Sequence, residues 1–183
     1  MEVVVRLRRW AFGLPQADID VASFADLYDY YLPRVFGYVA SRVGSQTLAE
    51  DLTAVVFEKA WRKLVTYRGD RGAFSTWLFT IARRVVADHF RGHGRVETVS
   101  LEDAPELTVA EGTPEDEYLH REELAWLHAS LKTLSEQEQQ IVALKFFSGL
   151  ANKDIARILG LKEDHVGVIL YRAIRKLRRE FEQ

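Results

Sequence analysis

Apolar residues recur every three or four positions through most of this chain, and that spacing predicts a protein built from α-helices. The first predicted helix runs from Ser23 to Val43, and Pro33 should bend it or split it in two. The Thr47–Glu50 sequence has the form of a capping box and predicts a second helix that ends near Leu64. No alternating strand pattern extends beyond the first few residues.

The third predicted helix, residues 74–91, combines an apolar face with arginines that lie elsewhere on the helix. Ser75 is its expected N-cap, and Gly92 and Gly94 are expected to end it. The expected buried face consists of residues at helical spacing: Leu78, Ile81, Ala82, Val85 and His89.

Four more helices are predicted in the second half of the chain. Thr113 and the proline after it are typical of a helix start, and Ser135–Glu138 is a second capping box. A short helix over Asn152–Leu159 ends at Gly160 and precedes a longer helix that begins near Lys162. A short helix, a turn with glycine and a longer helix form the helix-turn-helix arrangement.

Interruptions of the apolar period divide the chain into two small helical domains. The segment between them holds Pro105, Gly112 and several acidic residues. Its apolar residues show no regular spacing, so it is expected to be a linker. The predicted division is an N-terminal extension at 1–22, a three-helix domain at 23–94, an acidic linker at 95–113 and a helix-turn-helix domain at 114–183.

The extension at 1–22 carries the weakest pattern. Val3–Val5 are compatible with a short strand, and Trp10–Leu14 with an apolar patch that docks on the rest of the protein. A fusion remnant or an over-long start explains the segment equally well. Its arginines make it a poor signal peptide.

The composition excludes several classes of protein. The chain has no cysteine, which excludes disulfides and thiolate metal sites and favours the reducing cytoplasm. No apolar run approaches the roughly 20 residues that a membrane span needs, so we expect no membrane insertion.

The net charge of −2 conceals an uneven distribution. Residues 1–96 carry 14 Lys and Arg against 10 Asp and Glu, residues 97–123 carry 1 against 10, and residues 124–183 carry 10 against 7. Two basic segments therefore flank an acidic one. The arginines near the end of the last helix suit phosphate contacts, although cations are also common at a solvated helix C-terminus.

Aromatic rings and guanidinium groups coincide at the third predicted helix. Trp77 lies in its first turn, where free backbone N–H groups favour anions, and Arg83 and Arg84 lie off the apolar face. A surface that stacks bases on rings and holds phosphates with arginines has this composition. Burial in the core is the open alternative for Phe74 and Trp77.

Two segments together resemble a bacterial sigma factor of the extracytoplasmic-function (ECF) class. AEDLTAVVFEKAWRKL (Ala49–Leu64) followed by GAFSTWLFTIARRVVADHFR (Gly72–Arg91) resembles region 2, which in that family binds core RNA polymerase and opens the promoter −10 element. LSEQEQQIVALKFFSGLANKDIARILGLKEDHVGVILYRAIRKLRRE (Leu134–Glu180) resembles region 4, which in that family binds the −35 element. Arg84 departs from the family, which typically has Asn there.

The resemblance implies three sets of binding residues. The clamp helices of core RNA polymerase are expected to contact Asp51, Leu52, Val55, Phe57 and Glu58, with core packing as the alternative for Val55. The −10 element is expected to contact Arg68, Arg71, Phe74, Ser75, Trp77, Arg83 and Arg84. The −35 element is expected to contact Lys162, Asp164, His165, Val168, Arg172 and Arg175.

The resemblance further implies the polymerase flap and an anti-sigma factor as partners, and neither a cofactor, a metal nor a small-molecule substrate. The linker would occupy a basic channel of the polymerase, fold back on the two basic domains, or serve as a solubilising spacer. One rival function is a helix-turn-helix regulator with an N-terminal sensing or dimerising domain. A second rival is an enzyme that uses histidines such as His89, but that residue falls on the apolar face.

Overall fold

The structure, a computed structural model, describes residues 24–69, 72–93 and 129–181. Every regular element in those ranges is a helix, so the all-α prediction is confirmed. The predictions for Val3–Val5, Trp10–Leu14, the linker and the start of the helix at Thr113 lie outside the described residues.

Three helices form the first unit: α1 (Phe24–Val43), α2 (Gln46–Lys63) and α3 (Phe74–His93). A single 3₁₀ turn at Leu64–Thr66 extends α2 towards the loop before α3. Pro33 lies inside α1, which is one uninterrupted element, so of the two outcomes expected at this proline, a bend or a split, the split does not occur.

The cap of α2 differs from the prediction. Gly44 has a φ of 71°, and this turn places Ser45 in an extended conformation where its Oγ accepts a hydrogen bond from the Leu48 backbone N–H at 3.4 Å. Ser45 is therefore the N-cap, and the capping box predicted at Thr47 is wrong. Similarly, α3 begins at Phe74, so Ser75 lies in the first turn of that helix.

The predicted buried face of α3 is confirmed at Leu78, Ile81, Ala82 and Val85, whereas His89 is only half-buried. The side chain of Trp61, in the last turn of α2, is 60% exposed. The core-facing line of α2 passes through Ala60, and the next residue is rotated by about 100° around the helix.

The described part of the second unit opens with helical residues at 129–132 and continues as α4 (Glu136–Val142). The predicted capping box is confirmed. Ser135 Oγ accepts a hydrogen bond from the Glu138 backbone N–H, and Glu138 Oε2 accepts one from the Ser135 backbone N–H at 2.8 Å. A π-helical turn, Ala143–Phe147, continues α4.

The helix-turn-helix follows as α5 (Asn152–Leu159) and α6 (Glu163–Phe181). The bounds of α5 match the prediction, and Gly160 ends the helix in the left-handed region at a φ of 68°. The two units are not separate in space: α1 packs against the π-helical turn and α3 packs against α5. The buried apolar side chains of both units form one continuous core.

Candidate functional site

The outer face of α2 carries both charged and apolar groups. Asp51, Glu58 and Val65 follow each other at intervals of seven residues and are all exposed, so they share one side of the helix and the turn after it. Val65 is 92% exposed, and Trp61 lies beside this line with its ring edge against Phe24, the centroids 4.8 Å apart.

The other residues predicted on α2 are less accessible. Leu52 and Val55 are half-buried and pack against the core, while Phe57 is 5% exposed and lies against the Tyr28 ring. Trp61 and Val65 were absent from the predicted polymerase-binding residues. They follow Glu58, a predicted polymerase contact, by three and seven residues, and this helical spacing was the available signal for them.

Four aromatic rings surround the start of α3. The Phe74 and Trp77 centroids are 5.2 Å apart, and Tyr67 lies 5.3 Å from each of them. Tyr31 lies 5.4 Å from Phe74. We call Tyr31, Tyr67, Phe74 and Trp77 the aromatic cluster. All four side chains are half-buried, so they pack on each other and still present surface to solvent.

Polar contacts fix the aromatic cluster. The Tyr67 hydroxyl donates a hydrogen bond to the Gly72 carbonyl oxygen at 3.2 Å and so closes the loop before α3. A side-chain hydrogen bond joins Ser75 to Tyr31. Burial raises the pKa of both Tyr31 and Tyr67. An ordinary tyrosine is already neutral at physiological pH, and the raised pKa makes ionisation of these two phenols still less favourable, so the cluster carries no negative charge. Tyr31 and Tyr67 were absent from the predicted −10 residues.

The predicted −10 arginines occupy different environments. Arg68 and Arg84 are exposed, while Arg83 is half-buried with its Nη1 3.5 Å from the Ile158 carbonyl oxygen. Arg71 lies outside the described residues. The structure therefore brings the rings, Arg68 and Arg84 to the surface, and it sets Arg83 against the second unit.

All six predicted −35 residues are exposed on or just before α6. The core side of α6 is formed by Val166, Ile169, Ala173 and Leu177. Positions 166, 169 and 173 share one helix face, which leaves the six predicted residues on the other sides of α6.

Tyr171 is a further surface residue of α6, 64% exposed, that the sequence analysis did not single out. Its ring centroid lies 5.9 Å from the Arg175 guanidinium carbon, within the range of a cation–π contact. Val168, one turn earlier, is 47% exposed. Tyr171 follows Val168, a predicted −35 residue, by three positions, and this helical spacing was the signal in the sequence that Tyr171 shares its face.

A shallow hollow lies beside the N-terminal half of α6. Its lining combines acidic, amide and apolar groups: Asn152, Glu163, Asp164, Gly167, Val168 and Tyr171. The basic residues of α6 begin beyond this hollow, from Arg172 onward. Carboxylates can accept hydrogen bonds from the cytosine N4 amine, and apolar side chains can contact the thymine methyl. The composition of this half therefore suits contacts with bases, and the arginines beyond it suit contacts with phosphates.

Within the described ranges, no helix combines the length and the apolar character that crossing a bilayer requires. The same residues contain no group of three or more His, Asp and Glu side chains arranged to hold a metal ion.

Comparison with protein families assigns both units. The family model described as Sigma-70 region 2 matches residues 27–96, and the model described as Sigma-70, region 4 matches residues 124–177. Together they cover more than half of the chain. The first match assigns the three-helix unit to a sigma region, and a helix-turn-helix regulator with a sensing domain is therefore not favoured.

Several characterised proteins resemble this chain along most of its length. The ECF RNA polymerase sigma factor BldN of Streptomyces coelicolor is 38% identical over 160 residues, which are 86% of this chain and 60% of BldN, so the chain spans only part of that relative. The RNA polymerase sigma-H factor of Pseudomonas aeruginosa is 30% identical over 84% of this chain and 83% of its own length. YlaC of Bacillus subtilis, an RNA polymerase sigma factor, is 29% identical over 86% of this chain and 91% of its own length.

Solved structures share the fold. The sigma factor RpoE of Bartonella quintana, crystallised with the anti-sigma factor NepR, superimposes with a TM-score of 0.70 at 22% identity, over 88% of this chain and 98% of that one. CnrH, in complex with the cytosolic domain of CnrY, superimposes with a TM-score of 0.66 at 21% identity, over 98% of this chain and 96% of the CnrH chain. On the two family models and these sequence relatives, the chain belongs to the ECF class of RNA polymerase sigma factors.

Proposed function

We propose that this sigma factor uses three separate surfaces in transcription initiation. The outer face of α2 binds the clamp helices of core RNA polymerase, the aromatic cluster with its arginines opens and holds the −10 element, and the outer face of α6 binds the −35 element. The observation that carries this proposal is the aromatic cluster: four half-buried rings at the start of α3, with Arg68 exposed in the loop before the helix and Arg84 exposed near its middle.

The polymerase surface combines charge and apolar area. Asp51 and Glu58 supply negative charge, and Trp61 and Val65 supply exposed apolar area on the same side of the helix. An exposed Trp at the centre of such a face is typical of residues that dominate binding energy. Phe57, which is buried, positions α2 for this contact. The polymerase flap is proposed to contact the second unit.

The aromatic cluster suits strand opening on energetic grounds. Extruding a base from the duplex costs a few kcal/mol, and a base stacked on an aromatic side chain returns about 1–3 kcal/mol. Capture of one or two bases by Trp77 and Tyr67 would therefore be enough to stabilise an open −10 element. Arg68 and Arg84 would hold the strand by its phosphates.

One further partner is proposed by analogy with the solved structures. RpoE was crystallised with NepR, an anti-sigma factor, and the structure of CnrH was solved in complex with the cytosolic domain of CnrY. We propose that an anti-sigma protein controls this chain too, and that the protein acts in the cytoplasm by binding alone, without catalysis.

The test is transcription in vitro with purified core polymerase and a promoter library with randomised −10 and −35 elements. The proposal requires that the protein select a defined set of promoters. Two tryptophan variants separate the surfaces: Trp61→Ala should weaken polymerase binding, while Trp77→Ala should reduce permanganate reactivity of the opened −10 region with polymerase binding unchanged. Equal losses in both assays for both variants, or loss of helicity in Trp77→Ala, would contradict the division of roles.

A further inference from the structure

A cavity of about 360 Å³ lies where α1, α3 and α4 meet. Its volume falls in the range of about 300–1,000 Å³ that is typical of small-molecule sites in proteins. Among the described residues, the aromatic cluster and the outer faces of α2 and α6 do not contribute to its lining. The cavity is therefore distinct from the three surfaces proposed for the polymerase and the promoter.

Guanidinium groups converge on this cavity, because Arg42, Arg83 and Arg91 all line it. The cavity is also lined by Tyr38, a buried residue. Burial raises the pKa of the Tyr38 phenol to about 12, and the positive charges of Arg42 and Arg83 oppose this rise, so both guanidinium groups lie near the phenol. A neutral hydroxyl beside two arginines forms a set of donors that suits phosphate oxygens.

Arg83 has unused capacity to donate hydrogen bonds. Its Nη1 lies 3.5 Å from the Ile158 carbonyl oxygen of α5, which is long for a hydrogen bond, and its Nε is buried without a hydrogen-bond partner. Arg42 differs, since its Nη1 donates to the Gln139 side-chain oxygen at 2.9 Å and is thereby fixed at the wall of the cavity. A buried N–H that lacks an acceptor costs free energy, so Arg83 gains when an anionic acceptor enters the cavity.

The balance of charge in the cavity also favours an anion. Glu136, exposed in the first turn of α4, supplies the one carboxylate among the described lining residues. Arg91 forms an ion pair with Asp88 on its own helix, but both side chains are more than half exposed, so this pair is weak. Three guanidinium groups therefore stand against one carboxylate in the lining.

An apolar wall adjoins the cationic groups. Val86, Ala87 and Phe90 line the cavity from α3, and the Phe90 side chain is half-buried, so a flat ring of a ligand can stack on its accessible part. Arg83 and Phe90 are seven residues apart on the same side of α3, a separation of about 10 Å along the helix axis. This separation is comparable to the length of a nucleoside monophosphate, which carries its phosphate and its base at opposite ends.

We propose that the cavity between α1, α3 and α4 binds a nucleoside phosphate. Arg42 and Arg83 hold the phosphate beside the Tyr38 hydroxyl, and the base stacks on Phe90. Glu136 accepts hydrogen bonds from the sugar hydroxyls or from an amine of the base. The site stands on the lining of the cavity alone and does not depend on the roles proposed for α2, the aromatic cluster or α6.

Isothermal titration calorimetry of the purified protein with AMP and GMP tests the binding. We expect saturable one-to-one binding of at least one of the two nucleotides. Inorganic phosphate and the corresponding nucleoside should each bind at least about tenfold more weakly, because each makes only part of the contacts. Phe90→Leu should lower the affinity for the nucleotide and leave the affinity for inorganic phosphate unchanged, since leucine keeps the apolar wall but offers no ring for stacking.

Substitution of the arginines tests the phosphate end of the site. Arg83→Ala should weaken nucleotide binding by about tenfold or more, because it removes charge-assisted hydrogen bonds. Arg84→Ala is the matched control: it removes the same charge from the next position of α3, which is exposed and outside the lining, and should bind the nucleotide as the wild-type protein does. Arg91→Ala, at an exposed position of the lining, provides the same test if Arg83→Ala does not fold.

A single thiol locates the bound ligand. The chain has no cysteine, so Ala87→Cys introduces the only thiol, at the wall of the cavity. The nucleotide should slow the reaction of this thiol with a maleimide several-fold. Ala54→Cys, on the exposed side of α2 and outside the lining, is the control and should react at the same rate with and without the nucleotide.

Four outcomes would overturn the inference. The first is that neither nucleotide binds the folded protein saturably, and the second is that both arginine variants bind as tightly as the wild-type protein. The third is equal affinity for inorganic phosphate and for the nucleotides, which would mean that the site does not recognise a base. The fourth is protection of Ala87→Cys by a single-stranded oligonucleotide but by neither AMP nor GMP, which would assign the cavity to the DNA-binding surface instead.

Discussion

Lys176 Nζ lies 2.7 and 2.8 Å from the two carboxylate oxygens of Glu138, so one ion pair connects the first turn of α4 to the C-terminal half of α6. The same carboxylate accepts the Ser135 N–H and completes the capping box. Burial opposes ionisation of Glu138, but the hydrogen bonds from Lys176 and Ser135 outweigh it and lower the pKa of the carboxyl below its usual value. Glu138 therefore ties the start of α4 to α6 within the second unit.

Glu138→Gln should make the stability of the protein less dependent on pH. A lowered pKa in the folded protein means that the stabilisation is fully present above the ordinary Glu pKa and is lost as the pH falls through the folded pKa. At pH 7 the variant should lose about 1–2 kcal/mol of unfolding free energy, because glutamine retains the cap but not the ion pair. Urea unfolding should show this loss at pH 7 and its disappearance in acid. Glu136→Gln, in the same exposed turn, is the control, and a loss that did not vary with pH would contradict the assignment.

Tyr67→Phe should loosen the loop before α3 while it preserves the aromatic packing. The change removes the hydrogen bond to the Gly72 carbonyl, which is worth about 0.5–1.5 kcal/mol, and retains the ring against Phe74 and Trp77. We expect faster hydrogen exchange in residues 67–73 and slower formation of the open promoter complex. Tyr28→Phe serves as the control, since Tyr28 packs on Phe57 away from this loop. Unchanged exchange in the loop would show that the hydroxyl has no positioning role.

Arg172→Ala and Arg175→Ala should weaken promoter binding in a salt-dependent way. If each arginine contacts one phosphate, each variant should reduce the slope of log affinity against log salt by about 0.9. Val168→Ala should instead change base preference at the −35 element and leave the slope intact. The measurement is holoenzyme–promoter affinity at several potassium chloride concentrations, with Lys153→Ala on α5 as the control. If the four variants all had the same salt slope as the wild-type protein, these arginines would not belong to the DNA interface.

Gly160→Ala should destabilise the turn of the helix-turn-helix. Gly160 has a φ of 68°, and an L-residue with a Cβ costs roughly 1–2 kcal/mol in that conformation. Gly92→Ala is the matched control, because Gly92 lies within α3 with no atom near its missing Cβ, so alanine there should be neutral or stabilising. Thermal unfolding should show a lower Tm for the Gly160→Ala protein and not for the Gly92→Ala protein. Equal Tm values for the two variants would contradict the role of the turn.

Local chemistry was enough to predict several elements from the sequence. The Ser135–Glu138 capping box, the bounds of α5 and its end at Gly160 depend on residues three or four positions apart, and the structure confirms all three. The buried face of α3 was predictable for the same reason, since helical periodicity is a local property. The N-cap of α2 was missed because Ser45 and Thr47 are both good caps, and the turn at Gly44 decides between them.

The sequence by itself therefore determined that the chain is helical, where most of its helices begin and end, and which sigma regions they resemble. The tertiary structure alone decided that Trp61 is exposed, that Glu138 pairs with Lys176, and that α5 covers Arg83. These facts depend on residues 38 to 75 positions apart or on the packing of whole helices. Periodicity specifies which side of a helix is apolar, but only the arrangement of the other helices specifies what covers the remaining sides.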